Sequence, residues 1–340
     1  MKIGINGFGR IGRLAFRCAW EHPTWDIVQI NDPAGDASTW SHLINFDSVQ
    51  GKWQHSAESA REEIIVGEQR INCTQNLQLK QTDWSNCDLV IEASGQMKTS
   101  ALLSEYLTQG VKQVVVTAPI KEPEILNLVF GVNHELFDQE KPSIITASSC
   151  TTNCIAPAIK VIHEQFGIVH GSITTVHDIT NTQVVLDQAH KDLRRARSSG
   201  NNLIPTTTGS AKAIAQIFPE LEGKLNGHAI RVPLANASLT DCVFELNKKT
   251  NADEVNRALK QAAAGSLKGI LGFEERPLVS TDYVGDSRSS VVDALSTMVV
   301  NDTQLKLYLW YDNEFGYSCQ VYRVLERMAG VDYLVYPPKS

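Results

Sequence analysis

A cysteine lies in a hydroxyl-rich segment, Ser148–Cys154, that reads Ser-Ser-Cys-Thr-Thr-Asn-Cys. An extended run over residues 142–147 precedes it, and apolar residues at helical spacing follow it as far as Phe166. Cys150 is therefore predicted to lie where a strand ends and a helix begins. Free N–H groups and partial positive charge at a helix start favour thiolate over thiol and attract anions. The segment predicts a nucleophilic thiol beside an oxyanion or phosphate site, with a buried structural cysteine as the alternative.

Such a nucleophile needs a base and donors for the oxyanion that it creates. Of the nine histidines, His177 is the best candidate, because it ends a predicted strand over residues 171–177 and a polar run follows it. The alternative is a histidine with a purely structural role. Arg231 is a cation inside an apolar strand, so it must be paired or must face a ligand. A phosphate contact and a structural salt bridge both remain open for it.

A glycine motif, G-x-G-x-x-G, lies between a predicted strand over residues 2–6 and a predicted helix that ends near Glu21. Gly7 permits the tight turn, Gly9 lets the backbone approach a pyrophosphate, and Gly12 lets the helix lie close to the sheet. Asp32 follows a second predicted strand, where a carboxylate accepts ribose hydroxyls and repels a 2′-phosphate. Together these features predict NAD binding; the alternative is a glycine-rich turn followed by a solvated aspartate.

The predicted elements indicate an α/β protein with two kinds of sheet. Short buried strands alternating with helices predict an N-terminal Rossmann domain, a doubly wound parallel sheet. Its further strands are predicted at 88–93, 113–117, 128–132 and 142–147, with a helix at 99–109. Residues 34–86 are predicted to be a less regular insertion with its own short strands. Longer strands beyond Cys150 predict a catalytic α+β domain with a mixed or antiparallel sheet. Its strands are predicted at 171–177, 228–233, 238–246, 291–300 and 305–311, with helices at 211–217, 253–264 and 317–329.

We expect an NAD-binding Rossmann domain over residues 1–149, completed by the C-terminal helix at about 314–340, and a catalytic domain over 150–313. The 340 residues are 42% hydrophobic and 20% charged, as in ordinary globular proteins. A net charge of −7 without a long basic run argues against nucleic acid and anionic membranes as partners. The seven cysteines lack the spacing of a disulfide framework, which indicates free thiols. No His or Cys pair has the spacing of a zinc site, so no metal is expected. No signal peptide or long apolar run is recognisable, so a cytoplasmic location is expected.

Several segments resemble phosphorylating glyceraldehyde-3-phosphate dehydrogenase. The most specific are Ser-Cys-Thr-Thr-Asn-Cys at 149–154, Asn-Gly-Phe-Gly-Arg-Ile-Gly at 6–12 and Trp-Tyr-Asp-Asn-Glu at 310–314. The resemblance covers essentially the whole chain in order. It implies that Cys150 attacks the aldehyde to give a thiohemiacetal, and that His177 activates the thiol and then acts as acid and base. Hydride passes to NAD, and inorganic phosphate attacks the remaining thioester to release an acyl phosphate.

The resemblance also assigns the other site residues and the assembly. The substrate's own phosphate would be bound by Thr180, Arg195 and Arg231, and the attacking phosphate by Ser149, Thr151, Thr208 and Gly209. Besides the glycines, the cofactor positions would be Arg10, Ile11, Asp32, Thr117 and Asn313, with Asn313 orienting the nicotinamide amide. The family assembles as a homotetramer, in which the loop near 178–203 lines a neighbour's cofactor site.

The chain departs from the family's pattern at three places. Residues 76–79 read Asn-Leu-Gln-Leu where Arg-Asp-Pro often stands, which removes an arginine from the adenine region. Residues 188–189 read Gln-Ala in place of a Leu-Pro pair common in NAD-specific members. Asp32 still favours NAD over NADP through like-charge repulsion. Asp178 adds a carboxylate directly after His177, which would raise the histidine pKa if its side chain points inward.

Other activities remain open at this stage. Within the same class, erythrose-4-phosphate dehydrogenase shares the cysteine motif, although the segment Pro205–Gly209 favours the enzyme that uses phosphate. Arsenate is nearly isosteric with phosphate, so the same residues would serve an enzyme that makes 1-arseno-3-phosphoglycerate for efflux. A cysteine–histidine amidase would use Cys150 and His177 but would leave the glycine motif and Asp32 without a role.

Overall fold

The computed structural model describes residues 1–138 and 143–331, which form two compact units. The first unit contains residues 1–128, the described residues between 134 and 148, and the chain from Ser318 onward; the second contains residues 129–133 and 149–317. The expectations for Pro142 and for residues 332–340 lie outside the described residues.

Seven α-helices occur in the described residues: α1 (Arg10–Trp20), α2 (Ala37–Asn45), α3 (Ser100–Thr108), α4 (Cys150–Phe166), α5 (Ser210–Ile217), α6 (Ala252–Ala264) and α7 (Phe315–Ala329). The strands of the first unit are β1 (Lys2–Asn6), β2 (Asp26–Asn31), β3 (Ala57–Ala60), β4 (Glu63–Val66), β5 (Gln69–Thr74), β6 (Leu89–Glu92), β7 (Gln113–Val116), β8 (Leu126–Asn127) and β9 (Ser143–Thr146). Those of the second unit are β10 (Ile168–His177), β11 (Ile204–Thr207), β12 (Leu225–Arg231), β13 (Ser238–Leu246), β14 (Leu271–Glu274), β15 (Ser290–Asp293), β16 (Met298–Val300) and β17 (Gln304–Tyr311).

The first unit is built on one sheet with the strand order β3-β4-β5-β2-β1-β6-β7-β9-β8. The run from β5 to β8 is parallel, and β3 and β4 add an antiparallel edge. Its central order, β5-β2-β1-β6-β7-β9, is that of a dinucleotide-binding Rossmann sheet, in which the order reverses beside the first strand. The predicted Rossmann domain is thereby confirmed.

Helix α7 belongs to the first unit from Ser318 onward. The sulfur atoms of Cys18 and Cys319 are 4.0 Å apart, and the rings of Trp25 and Tyr322 lie 5.2 Å apart between centroids. The amide of Gln113, at the start of β7, donates to the carbonyl of Met328 at 3.3 Å. The C-terminal helix therefore packs on the same unit as α1, because its apolar face completes that core.

The second unit holds a mixed sheet with the order β11-β12-β10-β13-β17-β15-β14, and β16 pairs with β17. Strand β10 pairs in parallel with β12 and antiparallel with β13, as expected for a mixed sheet. Strand β13 alternates buried and partly exposed residues, which is the pattern of a strand with one face on a core. Helices α4, α5 and α6 contribute Ile159, Ile214 and Leu259 to that core.

Three expectations for the elements are wrong. Residues 128–132 form a turn rather than a strand, with Gly131 at a φ of +82°, and β8 ends at Asn127. Residues 291–300 are two strands, because a helical turn at 294–296 separates them, where the Asp293 carboxylate accepts from the Ser296 N–H. The segment 34–86 contains the short strands expected of it, but it is not an insertion, because it also holds helix α2 and its strand β5 is the outermost strand of the parallel run, paired with β2.

Within the described residues, every helix is too short or too polar to cross a membrane.

Candidate active site

Cys150 is the first residue of helix α4, and the helix start is capped by its neighbour. The Ser149 hydroxyl accepts a hydrogen bond from the Thr152 N–H at 3.1 Å. Ser148 adopts a left-handed φ of +56°, a conformation that costs energy in non-glycine residues and occurs often at functional sites. Cys150 is half-buried, whereas the other six cysteines are buried. The one accessible thiol is therefore at the helix start, where the N–H groups and the helix dipole favour negative charge.

His177 is the last residue of β10, and its ring faces the cysteine. The Nε2 atom lies 3.9 Å from the Cys150 sulfur. The ring is buried, and the Tyr311 ring lies edge-on to it at 6.2 Å between centroids. The thiol and the imidazole come from residues 27 positions apart. Their distance is long for a hydrogen bond but suits a pair that tightens when substrate binds.

The carboxylate of Asp178 points inward, onto the other side of the same imidazole. Its Oδ1 atom lies 2.6 Å from His177 Nδ1, and the side chain is buried. Burial by itself would lower the pKa of His177, but hydrogen bonds with Asp178 and Cys150 and the charge of the thiolate raise it to about 9. The imidazole is therefore held in its charged form at neutral pH.

Arg231 lies beside His177 because β12 pairs in parallel with β10, with the two residues in register. Its Nη1 atom is 2.8 Å from His177 Nδ1 and donates to the Asp178 carbonyl at 3.1 Å. Burial and the nearby charge of Arg195 lower the pKa of Arg231. Its Nε atom is buried without a hydrogen-bond partner among the described residues. A guanidinium held in this way retains a donor for an anionic ligand.

Thr180 and Arg195 lie together in the loop that follows β10. The Thr180 hydroxyl is 3.0 Å from that of Thr182, which accepts from Arg195 Nη1 at 2.9 Å. Arg195 also forms an ion pair with Asp192 at 3.6 Å. Thr182 thus links two of the residues that the resemblance assigned to the substrate phosphate.

The four residues assigned to the attacking phosphate lie at two helix starts. The Ser149 hydroxyl is 2.7 Å from that of Thr152, and the Thr151 hydroxyl is 2.9 Å from the Tyr311 phenol, at the start of α4. Gly209 precedes α5, and the Thr208 hydroxyl accepts from the Ser210 N–H at 3.2 Å. In the described part of the chain, no hydrogen bond joins Thr208 or Gly209 to Ser149 or Thr151.

Asn313 follows β17 and is buried in the same unit as Cys150. Its Nδ2 atom donates to Asp178 Oδ2 at 2.8 Å, and its Oδ1 atom accepts from the Ser238 hydroxyl at 2.9 Å. Both ends of this amide are therefore oriented by hydrogen bonds.

The glycine motif of the first unit forms a tight turn from β1 to α1. Gly7 has a φ of +87°, and a Cβ atom on Gly12 would lie 2.1 Å from the Gly7 carbonyl oxygen. A Cβ atom on Gly9, in contrast, would meet no atom within 4 Å. The Gly9 backbone therefore faces open space at a helix start, which fits a bound pyrophosphate.

Asp32 lies at the carboxyl end of β2 and reaches this turn. Its Oδ2 atom accepts from the Phe8 N–H at 2.6 Å, and its Oδ1 atom accepts from the Ala34 N–H at 2.8 Å. Arg10 and Ile11 begin α1, and Arg10 forms an ion pair with Asp47 at 2.5 Å. Thr117 directly follows β7, and its N–H donates to the Glu92 carbonyl at 2.9 Å. These cofactor candidates share the carboxyl edge of the parallel sheet, where such sheets bind ligands.

Sequence reasoning missed three residues of the second unit: Thr182, Ser238 and Tyr311. Thr182 belongs to the polar run after His177, and Tyr311 adjoins the segment that contains Asn313, so position gave a weak signal for both. Ser238 begins β13 and carried no signal, because only the pairing of β13 with β10 and β17 brings it to Asp178 and Asn313.

A Rossmann unit that fits NAD indicates the class of NAD-dependent oxidoreductases, and the second unit holds a cysteine–histidine pair. Residues 1–100 match the family model of the glyceraldehyde 3-phosphate dehydrogenase NAD binding domain. Residues 149–313 match the family model of the glyceraldehyde 3-phosphate dehydrogenase C-terminal domain. The chain belongs to the glyceraldehyde 3-phosphate dehydrogenase family, and NAD is its cofactor.

Similar proteins from several bacteria carry the family's name. Glyceraldehyde-3-phosphate dehydrogenase 3 of Nostoc sp. is 53% identical over 332 residues, which cover 97% of this chain and 98% of the relative. Glyceraldehyde-3-phosphate dehydrogenase of Geobacillus stearothermophilus is 47% identical over 323 residues, 94% of this chain and 96% of the relative. Glyceraldehyde-3-phosphate dehydrogenase 1 of Bacillus subtilis is 46% identical with the same coverage.

Proposed function

We propose that the chain oxidises glyceraldehyde 3-phosphate with NAD and inorganic phosphate to 1,3-bisphosphoglycerate. The observation that carries the proposal is the Cys150 sulfur at the start of α4, 3.9 Å from His177 Nε2 and in the same unit as Arg231. This arrangement combines a nucleophile, a proton carrier and a cation for a phosphate. An amidase would explain the first two but not the NAD-binding domain.

In this proposal, Cys150 and His177 carry the covalent chemistry. The thiolate attacks the aldehyde carbon, a carbon–sulfur bond forms, and the carbonyl oxygen takes the proton from the His177 imidazolium. His177 then removes the hydroxyl proton of the thiohemiacetal as the carbon loses its hydride, and a thioester on Cys150 remains. A phosphate oxygen attacks the thioester carbon, the carbon–sulfur bond breaks, the phosphate releases its proton to solvent, and the thiolate is restored. Bound NAD supplies the acceptor for the hydride.

The residues around this pair bind the two phosphate groups and the cofactor. Arg231, Arg195 and Thr180 bind the substrate's own phosphate, supported by the free donor of Arg231 Nε and by the link through Thr182. Ser149, Thr151, Thr208 and Gly209 bind the attacking phosphate at two helix starts. Gly7, Gly9, Arg10, Ile11, Gly12, Asp32 and Thr117 hold NAD, and Asn313 orients the nicotinamide amide.

The proposal extends to the organisation of the protein. Residues 1–149 with the C-terminal helix from about 314 form the NAD-binding domain, and residues 150–313 form the catalytic domain. The protein acts in the cytoplasm as a homotetramer, supported by exposed aliphatic side chains in the loop after β10, namely Val185, Leu186, Leu193 and Leu203.

The test is the initial rate of NADH absorbance with glyceraldehyde 3-phosphate in the presence of phosphate, arsenate or neither. We expect a sustained rate with phosphate, and at most a single turnover with neither, because the thioester is released only by an acyl acceptor. Arsenate is expected to support turnover as well. A rate with arsenate at least tenfold above that with phosphate would show that arsenate, and not phosphate, is the acyl acceptor. A preference for erythrose 4-phosphate over glyceraldehyde 3-phosphate would show that the proposed substrate is wrong.

A further inference from the structure

Asp178 is buried between two residues of the proposed site, and each carboxylate oxygen is used. Its Oδ1 atom lies 2.6 Å from His177 Nδ1, and its Oδ2 atom accepts from Asn313 Nδ2 at 2.8 Å. Ser238 completes the network, because its hydroxyl lies 3.5 Å from Asp178 Oδ1 and 2.9 Å from Asn313 Oδ1. A buried carboxylate is costly unless it is paired, so the network must be satisfied in the folded protein.

We propose that Asp178 is a positioning residue. It keeps a proton on Nδ1 of His177 and directs the Nε2 atom of that ring toward Cys150, and it also orients the Asn313 amide. This inference rests on the proposed function, in which His177 moves protons and Asn313 contacts the cofactor. It adds a third member to the cysteine–histidine pair and joins the proton carrier to the cofactor-orienting amide through one side chain.

Arg231 competes with Asp178 for the same ring nitrogen, and the geometry favours Asp178. Arg231 Nη1 lies 2.8 Å from His177 Nδ1, whereas Asp178 Oδ1 lies at 2.6 Å. A guanidinium only donates, so it can bond to Nδ1 only when that nitrogen is unprotonated. With the proton on Nδ1, Nη1 donates instead to the Asp178 carbonyl at 3.1 Å. Once the imidazolium has given its Nε2 proton to the substrate oxygen, the Nε2 lone pair can take the proton of the thiohemiacetal hydroxyl.

The charged groups around His177 act in opposite directions. From α4, Cys150 as a thiolate favours the imidazolium, as does Asp178 from the end of β10; Arg231 from β12 opposes it, and Arg195 lies near Arg231. Tyr311 from β17 faces the ring edge, and the pKa of its phenol is raised by burial, so it stays neutral. The balance leaves the pKa of His177 at about 9, above its ordinary value of 6.5. The imidazolium therefore persists between these two pH values and is lost as the pH rises through about 9.

The test is the pH dependence of Cys150 alkylation by iodoacetamide without NAD or substrate, in the wild type, Asp178→Asn and Asp178→Ala. The reagent is uncharged, so Arg231 does not attract it. We expect the rate to change near pH 9 in the wild type, where the imidazolium loses its proton. In both variants the pH at which the alkylation rate changes should fall by at least one unit, because the substitution removes the carboxylate charge that stabilises the imidazolium.

Two further variants serve as controls. Asp241→Asn removes a carboxylate of the same unit that pairs with Lys306 at 2.7 Å, and its profile should match the wild type. Asn313→Ala keeps the carboxylate charge of Asp178, so its profile should lie closer to that of the wild type than to that of Asp178→Asn, while the KM for NAD should rise. Asp178→Asn should shift the pH profile, lower kcat about tenfold and raise the KM for NAD. These effects should occur together because Asp178 acts through both His177 and Asn313.

The proposal is overturned if the profile of Asp178→Asn coincides with those of the wild type and Asp241→Asn. Should both Asp178 variants fail to fold, NMR of histidine-labelled wild type, with His177→Asn for assignment, decides the matter. Titration of the His177 ring near 6.5 would refute the proposal, and titration near 9 would support it. The alkylation and NMR readouts need no turnover, so they stand apart from any failure of the proposed dehydrogenase activity.

Discussion

At the scale of single residues, the accessible thiol carries the proposed chemistry. Cys150→Ser is expected to lower NADH production from glyceraldehyde 3-phosphate at least ~1,000-fold, because a hydroxyl is a far weaker nucleophile than a thiolate. Binding of NAD, measured by calorimetry, should persist. Cys154→Ser is the matched control: this thiol lies one turn later in α4, 3.8 Å from the Ser290 hydroxyl, and should be replaceable with little loss. Full activity of Cys150→Ser would exclude the mechanism.

The Asp32 carboxylate supports the glycine turn and is proposed to select NAD, and two substitutions separate these roles. Asp32→Asn keeps the oxygen that can accept from the Phe8 N–H but removes the charge that repels a 2′-phosphate. The ratio of kcat/KM for NADP to that for NAD should rise about tenfold in Asp32→Asn, for a change of ~1.4 kcal/mol. Asp32→Ala should also raise the KM for both cofactors. An unchanged ratio in both variants would remove Asp32 from cofactor selection.

Residue types and neighbours in the chain pointed to Cys150, His177 and Arg231, but not to the contacts between them. Helix periodicity placed the cysteine at a helix start, and strand alternation placed the histidine at a strand end. Their 3.9 Å separation depends on how α4 lies on the sheet, which no local pattern encodes. The direction of Asp178 was equally open, because the side chain follows the end of β10, where strand alternation no longer applies.

At the scale of elements, the turn from β1 to α1 needs glycine at positions 9 and 12 for different physical reasons. Gly12→Ala would push a Cβ atom to 2.1 Å from the Gly7 carbonyl oxygen, so we expect the free energy of unfolding to fall by about 1–3 kcal/mol or more. Gly9→Ala meets no atom within 4 Å and should keep the melting temperature within a few degrees. Its methyl group should nevertheless weaken NAD binding about tenfold or more, because the pyrophosphate approaches there.

Thermal melts and NAD titrations of the two variants check this assignment. Each variant is the control for the other, since both add one methyl group to the same turn. Equal NAD affinity in Gly9→Ala and the wild type would show that the cofactor does not approach this backbone.

Most elements of the Rossmann unit were predictable from the sequence because short buried strands and capped helices leave local patterns. The predicted strand at 128–132 was wrong because its apolar residues are buried in a turn, and burial alone does not distinguish a turn from a strand. Strand β5 was hidden within a polar segment, since its residues alternate between exposed and buried. Its place in the parallel sheet comes from pairing with β2, which is a tertiary feature.

At the scale of the whole molecule, exposed aliphatic side chains predict association. Val185, Leu186, Leu193 and Leu203 are 70–81% exposed in a loop with little regular structure. Exposed apolar side chains that cluster in one segment often mark an interface. Leu186→Asp and Leu193→Asp are expected to lower the mass measured by light scattering below that of the proposed homotetramer, because a charge is costly in an apolar contact.

Leu77→Asp is the control for this prediction, because Leu77 is 80% exposed and lies outside the loop. Its assembly should equal that of the wild type. If the loop variants keep the same mass as Leu77→Asp, the loop does not hold the assembly together.

The burial of six of the seven cysteines gives a way to count working enzyme molecules. Burial raises the pKa of Cys73, Cys87 and Cys154 to about 12, and it also raises the pKa of Cys242 well above its ordinary value. A chromogenic disulfide reagent added to the native protein should therefore consume one equivalent per chain quickly, and the rest only after denaturation. The fast equivalent measures the active fraction of any preparation, so specific activities can be expressed per intact site.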